Sequence, residues 1–126
     1  MRNVSRLSLA EAVRVDRDRI EALVIDHGTQ GAERLMGRAL EALAVRLNRA
    51  ERAWCRDQPT ALCREAEAVG RVAGEVGLVG LAQAARAVTS LAMTGDNAAI
   101  STTVARMMRV GEASLMSAWE LDDRSL

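Results

Sequence analysis

The chain has 126 residues, its 17 basic and 17 acidic side chains cancel, and it holds two cysteines, one histidine and neither Phe nor Tyr. That length suits a single domain over residues 1–126 whose core needs no disulfide or metal staple, and the balanced charge offers no overall attraction to nucleic acid or to an anionic membrane, so neither is expected as a partner. Every basic residue is arginine and 23 residues are alanine, so the core must be assembled from Leu, Val, Ile, Met, Ala and two tryptophans, a palette that favours helices.

The first twenty residues interleave Arg, Asp and Glu with apolar side chains, which is neither the apolar run of a signal peptide nor a membrane span, and a cytoplasmic protein is expected. Ser8 and Glu11 have the spacing of a capping box, predicting a first helix from about residue 9 to 26 that buries Val13, Ile20, Leu23 and Val24 and stops at Gly28. From Thr29 to Cys55, Ala32, Leu35, Met36, Ala39, Leu43, Leu47, Ala50 and Trp54 recur at three-and-four spacing, the signature of one long amphipathic helix. Asp57 and Pro59 mark a break and a restart, with the proline placed where a helix start does not miss its N–H. The next helix carries Leu62, Ala66, Val69, Ala73 and Val76 on one stripe, with Gly77 where a C-terminal cap belongs. A further helix, about Val79 to Thr94, turns Leu81, Ala82, Ala85, Val88 and Ala92 inward and is closed by Gly95. Asp96 is placed to cap the last helix, whose stripe is Ile100, Val104, Met107, Gly111, Leu115 and Ala118.

No segment alternates as a half-buried strand does. Short connections between long helices make neighbours antiparallel, so the expected fold is all-α, an up-down four-helix bundle with a shorter leading N-terminal helix.

The chemistry-bearing residues are few. Cys55 and Cys63, eight apart with one distant histidine, do not make a zinc set, and no metal or cofactor is expected. Gly70, Gly74, Gly77 and Gly80 follow no strand, so they read as packing and capping positions rather than a phosphate loop. Trp54 and Trp119 read as apolar anchors, and Met107, Met108 and Met116 as core methionines. His27 stands at a helix end beside Gly28, where an imidazolium is mildly favoured, and nothing in the sequence brings Ser or Cys to it as a nucleophile.

One pattern ties the later helices together. The segment Glu67-Ala-Val-Gly70-Arg71, five residues, then Gly77, Leu78-Val-Gly-Leu81 and finally Gly95-Asp96 resembles the histidine-containing phosphotransfer family of bacterial phosphorelays, over about residues 16–119. The resemblance implies that Glu67 occupies the position of the phosphoaccepting histidine, Gly70 that of the usual lysine and Arg71 that of the usual glycine. A carboxylate forms no phosphoramidate, so no catalytic residue is assigned and the chain is not expected to be an enzyme. What the resemblance implies is a binding module of two-component signalling, docking a receiver domain or a histidine kinase through Glu67, Ala68, Gly70, Arg71 and Gly74. Against it stand a structural or oligomeric helical bundle in which Glu67 and Arg71 are an ordinary surface pair, worth about 0.3–0.5 kcal/mol, and a phosphocarrier that uses His27. Self-association is left open.

Overall fold

The structure is a computed structural model that describes the backbone of residues 13–124 and the side chains of residues 13–117. Four helices follow in order: α1 Arg17–Cys55, α2 Pro59–Glu75, α3 Val79–Leu91 and α4 Asn97–Arg124. There is no strand among the described residues. Each helix packs on its neighbours in sequence, α4 returns to α1, and diagonal helices do not meet, which is the square section of an up-down four-helix bundle.

Helix α1 is two pieces. Gly28, at φ 73° and ψ 168°, breaks it into a leading segment of residues 17–27 and a long segment of residues 29–55. The division at Gly28 is the expected one, because only glycine takes that backbone conformation without strain. The start differs from expectation. Residues 13–16 are not helical, and the N-cap is Asp16, whose Oδ1 accepts from the Arg19 N–H at 3.2 Å. The Ser8–Glu11 capping box lies outside the described residues. Val24 is 37% exposed, so the leading segment buries Leu23 but not its neighbour.

Helix lengths explain what the leading segment does. At 1.5 Å per residue the long segment of α1 and α4 each span about 40 Å, whereas α2 and α3 span only about 25 and 20 Å. The two long helices therefore overshoot the α2–α3 turn, and the leading segment folds onto that end. Two backbone bonds and one side chain tie it there: Asp16 N–H donates to the Gly77 carbonyl at 2.8 Å, Gly80 N–H to the Arg14 carbonyl at 3.3 Å, and the Arg19 side-chain Nε–H to the Glu75 carbonyl at 2.9 Å.

The core is built from the expected stripes. Leu43, Leu47 and Ala50 from α1 meet Leu62, Ala66, Val69 and Ala73 from α2, Leu81, Ala85 and Val88 from α3, and Ile100, Val104 and Met107 from α4. Many of these are alanines, which lets helices approach closely. At Gly111 of α4 a Cβ would stand 2.6 Å from Leu47 Cδ1 of α1, so the Leu47 side chain occupies the space that glycine leaves. Met107 is fully buried and Met116 is 64% exposed, so the methionines divide between core and surface. The side chains of Ala118 and Trp119 lie outside the described residues. Ser114, the buried polar residue, donates to the Val110 carbonyl at 2.8 Å and is thereby satisfied. Helix α3 ends at Leu91, three residues before the expected Thr94, while Asp96 caps α4 as expected, its Oδ1 accepting from Ala99 N–H at 3.2 Å.

Candidate functional site

The position of α2 is set at both ends. Pro59 opens the helix, and at its far end the Leu78 N–H reaches the Ala73 carbonyl at 2.8 Å while the Gly77 N–H reaches the Gly74 carbonyl at 3.3 Å, a Schellman motif. With Ala66, Val69, Ala73 and Val76 inward, the helix period carries Glu67, Arg71 and Gly74, spaced four and three, to the outward side, and all three are exposed.

The other two expected docking residues turn away. Ala68 is only 8% exposed and lies three residues from Glu65, on the flank where Glu65 Oε2 pairs with Arg46 Nη1 of α1 at 3.2 Å. Gly70 is half-buried on the opposite flank, where a Cβ would stand 3.7 Å from Ala85 Cβ and 3.8 Å from the Ala82 carbonyl oxygen of α3. Of the expected docking residues, Glu67, Arg71 and Gly74 remain on the outward side, which they share with the exposed Arg64 and Glu75. A Cβ at Gly74 would meet nothing within 4 Å, so that side is open around it.

Glu67 does not pair with Arg71. The ion pair found among the described residues is Arg46–Glu65. Instead Cys63, one turn earlier, donates its Sγ–H to Glu67 Oε1 at 3.6 Å. Burial pushes the Cys63 thiol above its ordinary range, and the Glu67 charge and this hydrogen bond push it the same way. The thiol is therefore held protonated, which makes it a poor nucleophile. The four-residue spacing of Cys63 and Glu67 on one helix is the signal of this pair in the sequence.

His27 is exposed at the end of the leading segment, where it stands over Gly31 of the next turn, so close that a Cβ on Gly31 would lie 2.9 Å from its own Cβ. It makes no hydrogen bond to Asp26, so no carboxylate orients the ring. Among the described residues no three His, Cys, Asp or Glu side chains gather as metal ligands, and no helix is long and apolar enough to cross a membrane. A shallow cleft of about 180 Å³ opens at the end of the bundle away from the leading segment, lined by Trp54, Asp57, Leu62, Met93 and Ile100 among others. No family model, curated protein or solved structure matches the chain.

Proposed function

We propose that this chain is a protein-binding module rather than a catalyst. More particularly, it is a phosphotransfer-like domain of two-component signalling that has lost its phosphoaccepting histidine and docks a receiver domain or a histidine kinase without passing a phosphoryl group. The observation that carries the reading is the place of Glu67. It stands exposed in the middle of α2, ten residues before the positive-φ Gly77 that ends the helix, on a four-helix bundle. A carboxylate there repels an incoming phosphoryl group, and neither Gly70 nor the unpaired Arg71 supplies the missing imidazole.

Incubation with a phosphorylated receiver or an active hybrid kinase is expected to leave the protein without acid-labile label, while receiver binding remains measurable by calorimetry. His27→Ala belongs beside the unmodified chain. Label that appears on the unmodified protein and vanishes in this variant would make it a phosphocarrier and end the reading. The triple change Glu67→His, Gly70→Lys, Arg71→Gly is expected to restore transfer.

One observation favours a second reading. Ala68 and Gly70 face the flanks of α2, which leaves an outward side that is mostly charged, with Arg64, Glu67, Arg71 and Glu75 exposed, and suits a structural or oligomeric bundle. Failure of every receiver and kinase to bind would select it.

A further inference from the structure

The leading segment of α1 turns Leu23 inward and half-buries Ile20, so the opposite side presents Asp18, Glu21 and Ile25 at spacings of three and four. Ile25 is 82% exposed, more than any other large apolar side chain among the described residues. The long segment of α1 buries Leu43, Leu47 and Ala50, and its outward side presents Val45, Arg49 and Arg52 at spacings of four and three, with Val45 50% exposed. None of Asp18, Glu21, Arg49 and Arg52 forms an ion pair among the described residues. Each strip combines one exposed aliphatic side chain with two unpaired charges, and the charges of the two strips are opposite.

We propose that these two strips bind each other between copies of this chain. Laid antiparallel, the leading segment of one copy puts Ile25 on Val45, Glu21 opposite Arg49 and Asp18 opposite Arg52 of the next. The parallel arrangement fails, because it sets Ile25 against Arg52 and Asp18 against Val45. A strip cannot meet its complement within one chain. The leading segment is held over the α2–α3 turn by the Asp16–Gly77 and Arg19–Glu75 hydrogen bonds, so its outward side faces away from the bundle. Arg17, one turn before Glu21 on the leading segment, is the like charge nearest to this contact, and Arg14 is drawn off to Gln83 Oε1. The strip on α1 suits a nucleic-acid backbone poorly, since Glu41 lies one turn from Val45 on the same side and a phosphate chain brings uniform negative charge. A contact this short belongs to the weak, transient class of interface, and its ion pairs are screened by salt. The pairing does not depend on Glu67 or on any phosphorelay role.

Sedimentation velocity over a concentration series tests it. At low salt the mass is expected to rise above the monomer with concentration, and to return to the monomer at high salt. Asp18→Arg with Glu21→Arg, and separately Arg49→Glu with Arg52→Glu, are each expected to give monomers at every concentration. All four positions are exposed, so unchanged circular dichroism identifies loss of association rather than of fold. Mixing the two monomeric variants supplies both the original contact, between the strips left unmodified, and its charge-reversed counterpart, and is expected to restore a heavier species. A monomeric unmodified protein, or association untouched by either pair of reversals, overturns the proposal. So does binding of a short DNA duplex that the Arg49 and Arg52 reversals abolish while the mass of the unmodified protein stays monomeric.

Discussion

Helix α2 lies between two turns that make the same hydrogen bonds with different residues. After α1, Gln58 N–H donates to the Ala53 carbonyl at 2.9 Å and Asp57 N–H to the Trp54 carbonyl at 3.1 Å; after α2, Leu78 and Gly77 make the equivalent bonds to Ala73 and Gly74. The left-handed residue is Asp57 at φ 54° in the first turn and Gly77 at φ 78° in the second. The surroundings account for the difference. Asp57 is exposed, whereas a Cβ on Gly77 would stand 3.0 Å from the Asp16 carbonyl oxygen and 3.3 Å from Ile20 Cγ1. Local hydrogen bonding admits aspartate in this motif, since Asp tolerates the left-handed region better than most residues. The leading segment packed on the second turn is what excludes it there.

The largest expected effect tests the rotation of α2 that the two turns fix between them. Val69→Asp buries an unpaired charge and is expected to lower stability by about 4 kcal/mol, while Glu67→Ala, on the exposed side, stays within about 0.5 kcal/mol. Similar denaturant midpoints for the two variants would mean that α2 is rotated otherwise.

The turns themselves come next. Gly77→Ala combines left-handed strain with contact against backbone and is expected to cost about 2–4 kcal/mol in urea unfolding. Gly95→Ala isolates the strain, because Gly95 has φ 79° and open space around it, and about 1 kcal/mol is expected. Asp57→Gly relieves strain and is expected to stabilise by a few tenths to about 1 kcal/mol, the gain being reduced by the added freedom of the unfolded chain. Equal losses at Gly77 and Gly95 would remove the leading segment from the explanation.

The smallest effect concerns the thiol beside Glu67. Cys55 is exposed and is expected to react with a thiol reagent faster than Cys63 at neutral pH. Glu67→Gln removes one of the influences that raise the Cys63 titration, so its pH–rate curve is expected to move to lower pH, with burial keeping part of the shift. The sign for stability follows. A thiol whose folded pKa lies above its unfolded value contributes fully below the unfolded pKa, and that contribution is lost as pH rises through the folded one. An unchanged curve in Glu67→Gln would mean that the Sγ–Oε1 contact is not made in solution.

Much of this arrangement was legible in the chain before its fold. Gly28, Gly77 and Asp96 stand at the breaks and caps where the sequence placed them, and the stripes of α2 and α3 are buried as their spacing predicted, while that of the long segment of α1 is buried from Ala39 to Ala50 and half-buried at its ends. These features depend on neighbours a few residues away, which helix periodicity and glycine's freedom determine. The candidate site was legible only in part. Glu67, Arg71 and Gly74 follow from the period of α2, but the fates of Ala68 and Gly70 depend on which helix lies on each flank, and one helix's period does not contain that.

By itself the sequence determined an all-helical chain, the breaks between its helices and the apolar face of each, because hydrophobic burial at a period of 3.6 residues admits few other arrangements. Tertiary structure alone decided that the leading segment closes the end left open by two short helices, which is why a side chain at Gly77 would be crowded while Asp57 is tolerated. It also decided which charges find partners. Arg46 meets Glu65 across two helices, and Glu67 meets Cys63 rather than Arg71. Such pairings depend on helix rotation and on distances between elements far apart in the chain, quantities set when the core packs.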